Sequence, residues 1–292
     1  LKLIRTTTQL KHHINRIKAS HRTIGFVPTM GALHDGHLSL ITASLRRCDA
    51  TVVSIFVNPT QFGPGEDYRR YPRTLGRDAE LCRKAGVHLL FVPPVNEVSP
   101  LWPSGGRMRP PGDLIQVDAG ALGHVLEGAA RPGHFNGVAT VVLQLLNLVQ
   151  PDHLFLGRKD YQQTLVIKQL VDSFHLAVDV IVCPTIREAD GLAMSSRNRY
   201  LTRPQRHAAT LISQALRAGH TRLRTGERSP AVLRLAMRRV LARSPLIRVE
   251  YLAVCDPNTL DPLTQVHRRA VLAIAARIGK TRLIDNIVFD AG

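Results

Sequence analysis

Over residues 1 to 185, short apolar runs rich in β-branched residues alternate with stretches in which apolar positions return every three or four residues. The runs are Thr23 to Val27, Thr51 to Val57, His88 to Val92, His153 to Leu156 and Val178 to Val182, each of strand length. Between them, His37 to Arg47, Leu75 to Ala85, Val138 to Leu148 and Tyr161 to Phe174 carry the helical period. Strand and helix taking turns calls for right-handed crossovers, so the pattern predicts an α/β fold on a mostly parallel sheet. Thr51 to Val57 is apolar on both faces and is therefore expected in the middle of that sheet.

Two regions depart from this rhythm. Pro93 to Leu122 is rich in Pro and Gly without a clear period, and reads as a long excursion ending near a short strand at Leu114 to Val117. After Pro184 the pattern changes. Thr202-Arg203-Pro204-Gln205 reads as a capping box with an early proline that opens a helix to about Leu223, and Ser229-Pro230 opens a second to about Ala242. Alternating runs at Arg248 to Val254 and Ala270 to Ala276 suggest a small antiparallel sheet. The chain is expected to divide near residue 185 into a larger α/β domain, 1–185, and a smaller C-terminal α+β domain, 186–292.

Ligands of open parallel sheets sit at the carboxyl ends of the strands. The polar, glycine-containing segments follow the strands here: Pro28 to His37 after the first, Asn58 to Gly63 after the second, and Gly157 to Asp160 after the fourth. His34-Asp35-Gly36-His37 stands where a helix begins, and a helix start offers unpaired N–H groups and the positive end of a dipole to an anion. Two imidazoles at i and i+3 point toward the same place, and Gly36 lets a ligand approach the backbone. That set suits a nucleoside triphosphate under attack at its α-phosphate, because imidazole donors can neutralise growing charge. A zinc site lacks a third ligand nearby. A surface helix carrying two solvated histidines is the plain alternative.

Asn58 and Gln61 offer neutral amides to a small polar substrate, although Asn-Pro is also ordinary turn chemistry. Arg131 and His134 stand before another helix and suit a carboxylate or phosphate. Lys159 can meet phosphate oxygens and Asp160 ribose hydroxyls, unless Asp160 simply caps a helix. Of Gln162 and Gln163, one must face the sheet edge, and spacing leaves open which. Ser195, Ser196 and Arg197 can form a clamp on a triphosphate tail.

Composition narrows the classes. No basic start with an apolar core opens Leu1 to Ile24, and the longest apolar run, Val138 to Val149, contains Gln144 and Asn147 and is too short to cross a bilayer. A soluble, cytoplasmic protein is expected. Cys48, Cys82, Cys183 and Cys255 form no CxxC pair and read as small core hydrophobes. The formal charge is +17. Residues 186 to 292 carry 19 Lys+Arg against 8 Asp+Glu, and ten arginines lie between Arg203 and Arg243 beside one acid, Glu227. Such a surface attracts phosphates or nucleic acid, but the arginines are spaced through amphipathic helices, which a solvated face also explains.

Several long segments in register closely resemble the pantothenate synthetase (pantoate–β-alanine ligase) family. They are Phe26 to His37, Ser54 to Phe62, Tyr71-Pro72-Arg73-Thr74, Lys159 to Gln163 and Asp190 to Asn198, with the match running to Leu283-Ile284-Asp285-Asn286. The resemblance implies a Rossmann-like sheet of the HIGH-type nucleotidylyltransferase superfamily, with the smaller C-terminal domain closing over an ATP site. It implies a two-step reaction in which pantoate attacks the α-phosphorus of Mg-ATP, and β-alanine then attacks the pantoyl adenylate, releasing AMP and pantothenate.

By the same resemblance, His34 and His37 stabilise the pentavalent phosphorus, helped by the Met30 backbone and by Lys159, Ser195, Ser196 and Arg197 on the phosphates, with Met194 in the same loop. Asp160 and Gly157 hold the ribose. Gln61 and Gln163 bind pantoate, with Asn58, Arg131 and His134 lining that cavity. Magnesium arrives with the triphosphate, no dedicated protein metal site is expected, and a homodimer is implied. Two departures stand out: Arg158 replaces the usual Glu of the Gly-Glu-Lys-Asp motif, and Asn136 stands where Arg is common. Two other readings compete. A nucleotidylyltransferase acting on a phosphate acceptor shares the His-x-Gly-His motif, but Asn58 to Phe62 suits a carboxylate and hydroxyl substrate. A nucleic-acid-binding protein would use the arginine-rich helices, yet leaves the three polar loops unexplained.

Overall fold

The computed structural model describes residues 1–98 and 115–291. The chain divides into two compact units: Leu1–His124, Arg131–Arg158 and Gln163–Pro184 form the first, and Val125–Ala130, Lys159–Gln162 and Thr185–Gly292 the second. In chain order, the first unit opens with β1 (Lys2–Ile4), α1 (Thr7–Ala19), β2 (Ile24–Thr29), α2 (Asp35–Arg47) and β3 (Ala50–Ile55). It continues through α3 (Leu75–Ala85), β4 (Leu89–Phe91) and the short α4 (Val95–Val98). The one-turn α5 (Glu127–Ala130) falls in the second unit. Then come α6 (His134–Val149), β5 (His153–Gly157), α7 (Tyr161–Ser173), whose first two residues group with the second unit, and β6 (Asp179–Cys183).

The six strands form one parallel sheet in the order β1-β4-β3-β2-β5-β6. The α/β expectation holds, and β3 is an interior strand as its two apolar faces required. Val27, Val53, Leu90 and Phe155 cluster on one face with Leu40 and Ile41 of α2 and Cys82 of α3. Their equally buried neighbours Phe26, Val52 and Leu154 point the other way by strand alternation. Burial on both faces is why these strands read as continuous apolar runs. Gly25 sets how closely α2 approaches. A methyl group there would sit 2.1 Å from Ser44 Oγ and 2.9 Å from Cys48 Sγ, both on that side of β2.

Two N-terminal elements escaped the sequence reading. β1 is three residues long, too short to show a period. α1 buries only Leu10 and Ile14, a stripe one residue wide, and starts at Thr6, whose side chain accepts from Gln9 N. The strand expected at Leu114 to Val117 is corrected in part. Leu114 lies outside the described residues, and Ile115 to Val117 form no strand. Val117 N instead donates to Thr140 Oγ1 on α6 at 2.9 Å, so a side chain takes the place of a ladder partner.

In the second unit, α8 (Arg203–Arg224) and α9 (Pro230–Leu241) are followed by β7 (Ile247–Cys255), β8 (Arg269–Ile278) and β9 (Thr281–Asp290), an antiparallel sheet in that order. The Thr202 capping box is present, with Thr202 N donating to Gln205 Oε1 at 3.1 Å. Leu216, Met237, Leu272 and Ile274 belong to its core. β9 was missed because Asp285 and Asn286 interrupt its alternation while being 4% and 5% exposed. A second buried polar group sits nearby in the same unit: Glu127 accepts two hydrogen bonds from Arg282 and one from Tyr251. Arg282 also meets Glu250, which Arg277 holds in turn.

All four cysteines are buried free thiols. Burial pushes Cys82 up to about 12 and Cys255 up to about 11, which leaves them protonated and unreactive. Among the described residues no helix is long and apolar enough to cross a membrane. Replacing Gly25 by Ala is expected to lower the unfolding free energy by roughly 2–3 kcal/mol in urea titration, because α2 must move off the sheet; an unchanged midpoint would mean that this approach is not tight.

Candidate active site

Strand numbers run outward from β2 through β3 to β4 on one side, and from β5 to β6 on the other. The carboxyl ends of β2 and β5 therefore flank the point where the winding reverses, which is where such sheets open a crevice. Met30 to His37 follow β2, and Gly157 ends β5.

The turn after β2 is held in a conformation that side chains rarely adopt. Gly31 has φ 81° and Ala32 φ 53°. Asp78, on α3 and 1% exposed, holds that turn from beneath: its Oδ2 accepts from Ala32 N at 2.8 Å and its Oδ1 from Leu33 N at 2.9 Å. Thr74 Oγ1 donates to the same carboxylate. Thr29 closes the other side, donating to Ser54 O at 2.7 Å and accepting from Gly31 N. Three hydrogen bonds from the turn's own N–H groups, those of Gly31, Ala32 and Leu33, to the buried side chains of Thr29 and Asp78 thus stabilise a left-handed non-glycine residue that is unfavourable on its own.

From that turn the chain enters α2 with His34 as the extended N-cap residue. His37 Nδ1 accepts from His34 N at 3.3 Å. A ring nitrogen accepts only when it carries no proton, so neutral His37 holds its hydrogen on Nε2, as a donor directed away from the cap. The two rings lie 4.1 Å apart between centroids, tilted by 38°. Both histidines are half-buried at the positive end of α2. The structure brings them together, as the i, i+3 spacing predicted.

After β3, Asn58 is 2% exposed and starts the 3-10 turn Pro59–Gln61. Its Oδ1 accepts from Thr60 Oγ1 at 2.9 Å, and its Nδ2 donates to Gly137 O at 3.0 Å and Gln61 Oε1 at 3.1 Å. Because Oε1 accepts, the Gln61 amide turns its Nε2 outward, 3.2 Å from Met30 Sδ. The amide after β3 thereby touches the loop after β2. Gly137 of α6 makes the packing of this turn feasible, since a Cβ there would lie 2.4 Å from Thr60 O. Arg131 and His134, expected to line a substrate cavity, engage protein groups: Arg131 pairs with Glu66, and His134 Nδ1 lies 2.7 Å from Gln61 O. Asn136 accepts from Ala119 N at 3.0 Å and so ties the preceding loop to α6.

In the second unit, Lys159 Nζ lies 3.2 Å from Asp160 Oδ1, and Asn286 Nδ2 donates to Lys159 O. Gln162 is the glutamine turned inward there: its amide bridges Glu127 N and Val125 O. Gln163, half-buried, belongs to the first unit. Ser195 caps the turn Ser196–Tyr200 by accepting from Arg197 N. Within that turn Asn198 donates to Glu188 Oε1 and Ala193 O, and Arg206 in turn pairs with Glu188 and Asp190. Arg187 makes a two-pronged ion pair with buried Asp285. Ser195, Ser196 and Arg197 therefore stand on a fixed base.

Asp78, Glu66 and Gly137 were missed from the sequence. Asp78 looked like an ordinary acid in the first turn of a helix, and only Thr74 four residues earlier hinted at a shared task. Gly137 could have been noticed, as a glycine inside an otherwise strong helical pattern. Among the described residues no group of three or more His, Cys, Asp or Glu is arranged to hold a metal ion.

Comparison with known proteins gives these residues a context. A family model described as pantoate-beta-alanine ligase matches residues 2–288. The pantothenate synthetase of Moorella thermoacetica is 47% identical over 290 residues, covering 99% of each chain. That of Chloroflexus aggregans is 50% identical over 272 residues, covering 93% of this chain and 95% of the other. Among solved structures, the pantothenate synthetase of Thermus thermophilus superposes with a TM-score of 0.89 at 44% identity, over 98% of this chain and 99% of that one. The pantoate-beta-alanine ligase of Francisella tularensis, in complex with beta-gamma ATP and beta-alanine, gives 0.79 at 36% identity, over 99% and 97%.

Asp78→Asn turns an amide NH2 against a backbone N–H in the buried turn. Unfolding free energy is expected to fall by about 2–4 kcal/mol in chemical denaturation; a change below about 0.5 kcal/mol would show that the carboxylate does not hold the turn.

Proposed function

The chain belongs to the pantoate–β-alanine ligase family, and from that premise we propose that it condenses pantoate with β-alanine, using ATP, through a pantoyl adenylate. The supporting observation is the 3.2 Å contact of Gln61 Nε2 with Met30 Sδ. It joins an amide suited to a hydroxy acid to the loop that leads into the His34–His37 helix start, so acyl donor and α-phosphate are served from adjacent strand ends.

In the first step a pantoate carboxylate oxygen forms a bond to the α-phosphorus, and the bond to the bridging oxygen breaks, releasing pyrophosphate. Charge builds on the equatorial oxygens. His37 Nε2–H, with its tautomer set by the His34 N–H, and His34 beside it supply donors there, and the N-terminus of α2 adds its field. Lys159, Ser195, Ser196 and Arg197 hold the phosphates, with Met30 and Met194 against the nucleotide and Gly157 and Asp160 on the ribose. Gln61 and Gln163 bind pantoate beside Asn58, Arg131 and His134. Magnesium would enter with the ATP and would neutralise part of the phosphate charge.

In the second step the neutral amine of β-alanine attacks the acyl carbon, the C–O bond to AMP breaks, and the amine loses a proton to solvent. AMP is the leaving group that the carboxylate lacked. Little proton transfer is required of the protein, so positioning and charge stabilisation supply most of the rate. The same reading has the enzyme act in the cytoplasm, where ATP is made available, as a homodimer.

Purified protein is expected to release AMP only when ATP, pantoate and β-alanine are all present, and to exchange pyrophosphate into ATP with pantoate alone. His37→Ala should lower kcat about 10²- to 10³-fold, the effect of removing one transition-state donor. Wild-type turnover by that variant, or exchange without pantoate, would contradict the assignment.

A further inference from the structure

We propose that Glu66 is a positioning residue of the pantoate site, acting through Arg131 and His134 to fix the main chain of Gln61. The inference rests on the reading of Gln61 as a pantoate ligand and extends it to a residue that no motif singles out. Arg131 Nε donates to Glu66 Oε1 and its NH2 group to Glu66 Oε2, both at 2.6 Å, a two-pronged pair. The same NH2 group reaches Gln61 O at 3.3 Å, and NH1 lies 3.0 Å from His134 Nε2. Four of the five guanidinium N–H groups are thereby engaged.

The tautomer of His134 follows from its neighbours. Gln61 O can only accept, so His134 Nδ1 carries the proton in the 2.7 Å bond between them. Nε2 is then the acceptor for Arg131 NH1. The chain of bonds runs in one direction, from guanidinium to imidazole to carbonyl, with the Glu66 carboxylate holding the guanidinium in place. Its two side chains are largely withdrawn from solvent, at 14% exposure for Arg131 and 25% for Glu66. Burial opposes ionisation of Glu66, but the hydrogen bonds and charge of Arg131 outweigh it and hold the carboxyl below the usual range.

This arrangement matters for a carboxylate nucleophile. A guanidinium without a partner would form a two-pronged pair with the attacking carboxylate, stabilise it in the ground state and occupy its lone pairs. Glu66 sequesters that cation. Substrate recognition then falls to the neutral amide of Gln61, whose backbone is fixed by His134 and Arg131 and whose side chain is oriented by Asn58.

Steady-state kinetics of Glu66→Gln, Arg131→Leu and the Glu66→Leu/Arg131→Leu double variant test the proposal, with thermal melts to confirm folding. In Glu66→Gln, kcat/KM for pantoate is expected to fall at least about tenfold while the KM for ATP stays within about twofold, as misplacement of one substrate predicts. In the Arg131→Leu background, removing Glu66 should change kcat/KM for pantoate less than about twofold, because the two act as one unit. If Glu66→Gln fails to fold, the apolar double variant still gives the comparison with Arg131→Leu. An active wild type whose Glu66→Gln variant is indifferent, or effects that add in the double variant, would overturn the clamp alone. A wild type without pantoate-dependent AMP release overturns the pantoate reading together with it.

Discussion

One buried carboxylate sets the geometry on which the candidate site depends. Asp78 accepts from two successive backbone N–H groups of the Gly31–Leu33 turn, and these bonds hold Ala32 at φ 53°. The direction in which α2 leaves the sheet follows from this turn, and with it the position of His34 and His37. A site residue placed by a strained loop gains precision only if the strain is over-determined by its surroundings. Here the determining contacts come from α3 on one side and from Thr29 and Ser54 of the central strands on the other.

The loop after β3 is built on the same plan. Asn58 folds the turn on itself, Gly137 allows α6 to press against it, and Arg131 and His134 grip the Gln61 carbonyl. Both loops are therefore held twice, by their own side chains and by helices that pack on the sheet. Beside Gln61 the charged side chains of Arg131 and Glu66 pair with one another. In the proposed reaction, whose nucleophile is an anion and whose electrophile is a polyanion, that pairing would leave the carboxylate to neutral amides and the phosphates to other cations.

Much of the first unit was legible in the sequence because its strands are buried on both faces and its helices on one. α3 was read with the bounds found, Leu75 and Ala85, and the four long helices of the crossovers all appear. What could not be read has a common cause. β1 is too short for a period, α1 has a stripe too narrow, and β9 hides two buried polar residues, Asp285 and Asn286, where alternation would place apolar ones. The histidine pair was visible because i, i+3 spacing is a local property. Asp78 and Glu66 were not, since each acts on backbone 45 or more residues away or through an intermediary 65 residues on. Local patterns report local partners, and the supports of this site are distant ones.

The central claim is that the organic acid attacks the α-phosphorus at the entrance of α2. It is tested most directly by following oxygen. With pantoate labelled with ¹⁸O in its carboxylate, turnover is predicted to deliver label into AMP, because the acyl carbon leaves one of its oxygens on that phosphorus when the amine displaces it. Label appearing instead in inorganic phosphate, with ADP as the nucleotide product, would mean attack at the γ-phosphorus and would contradict the account.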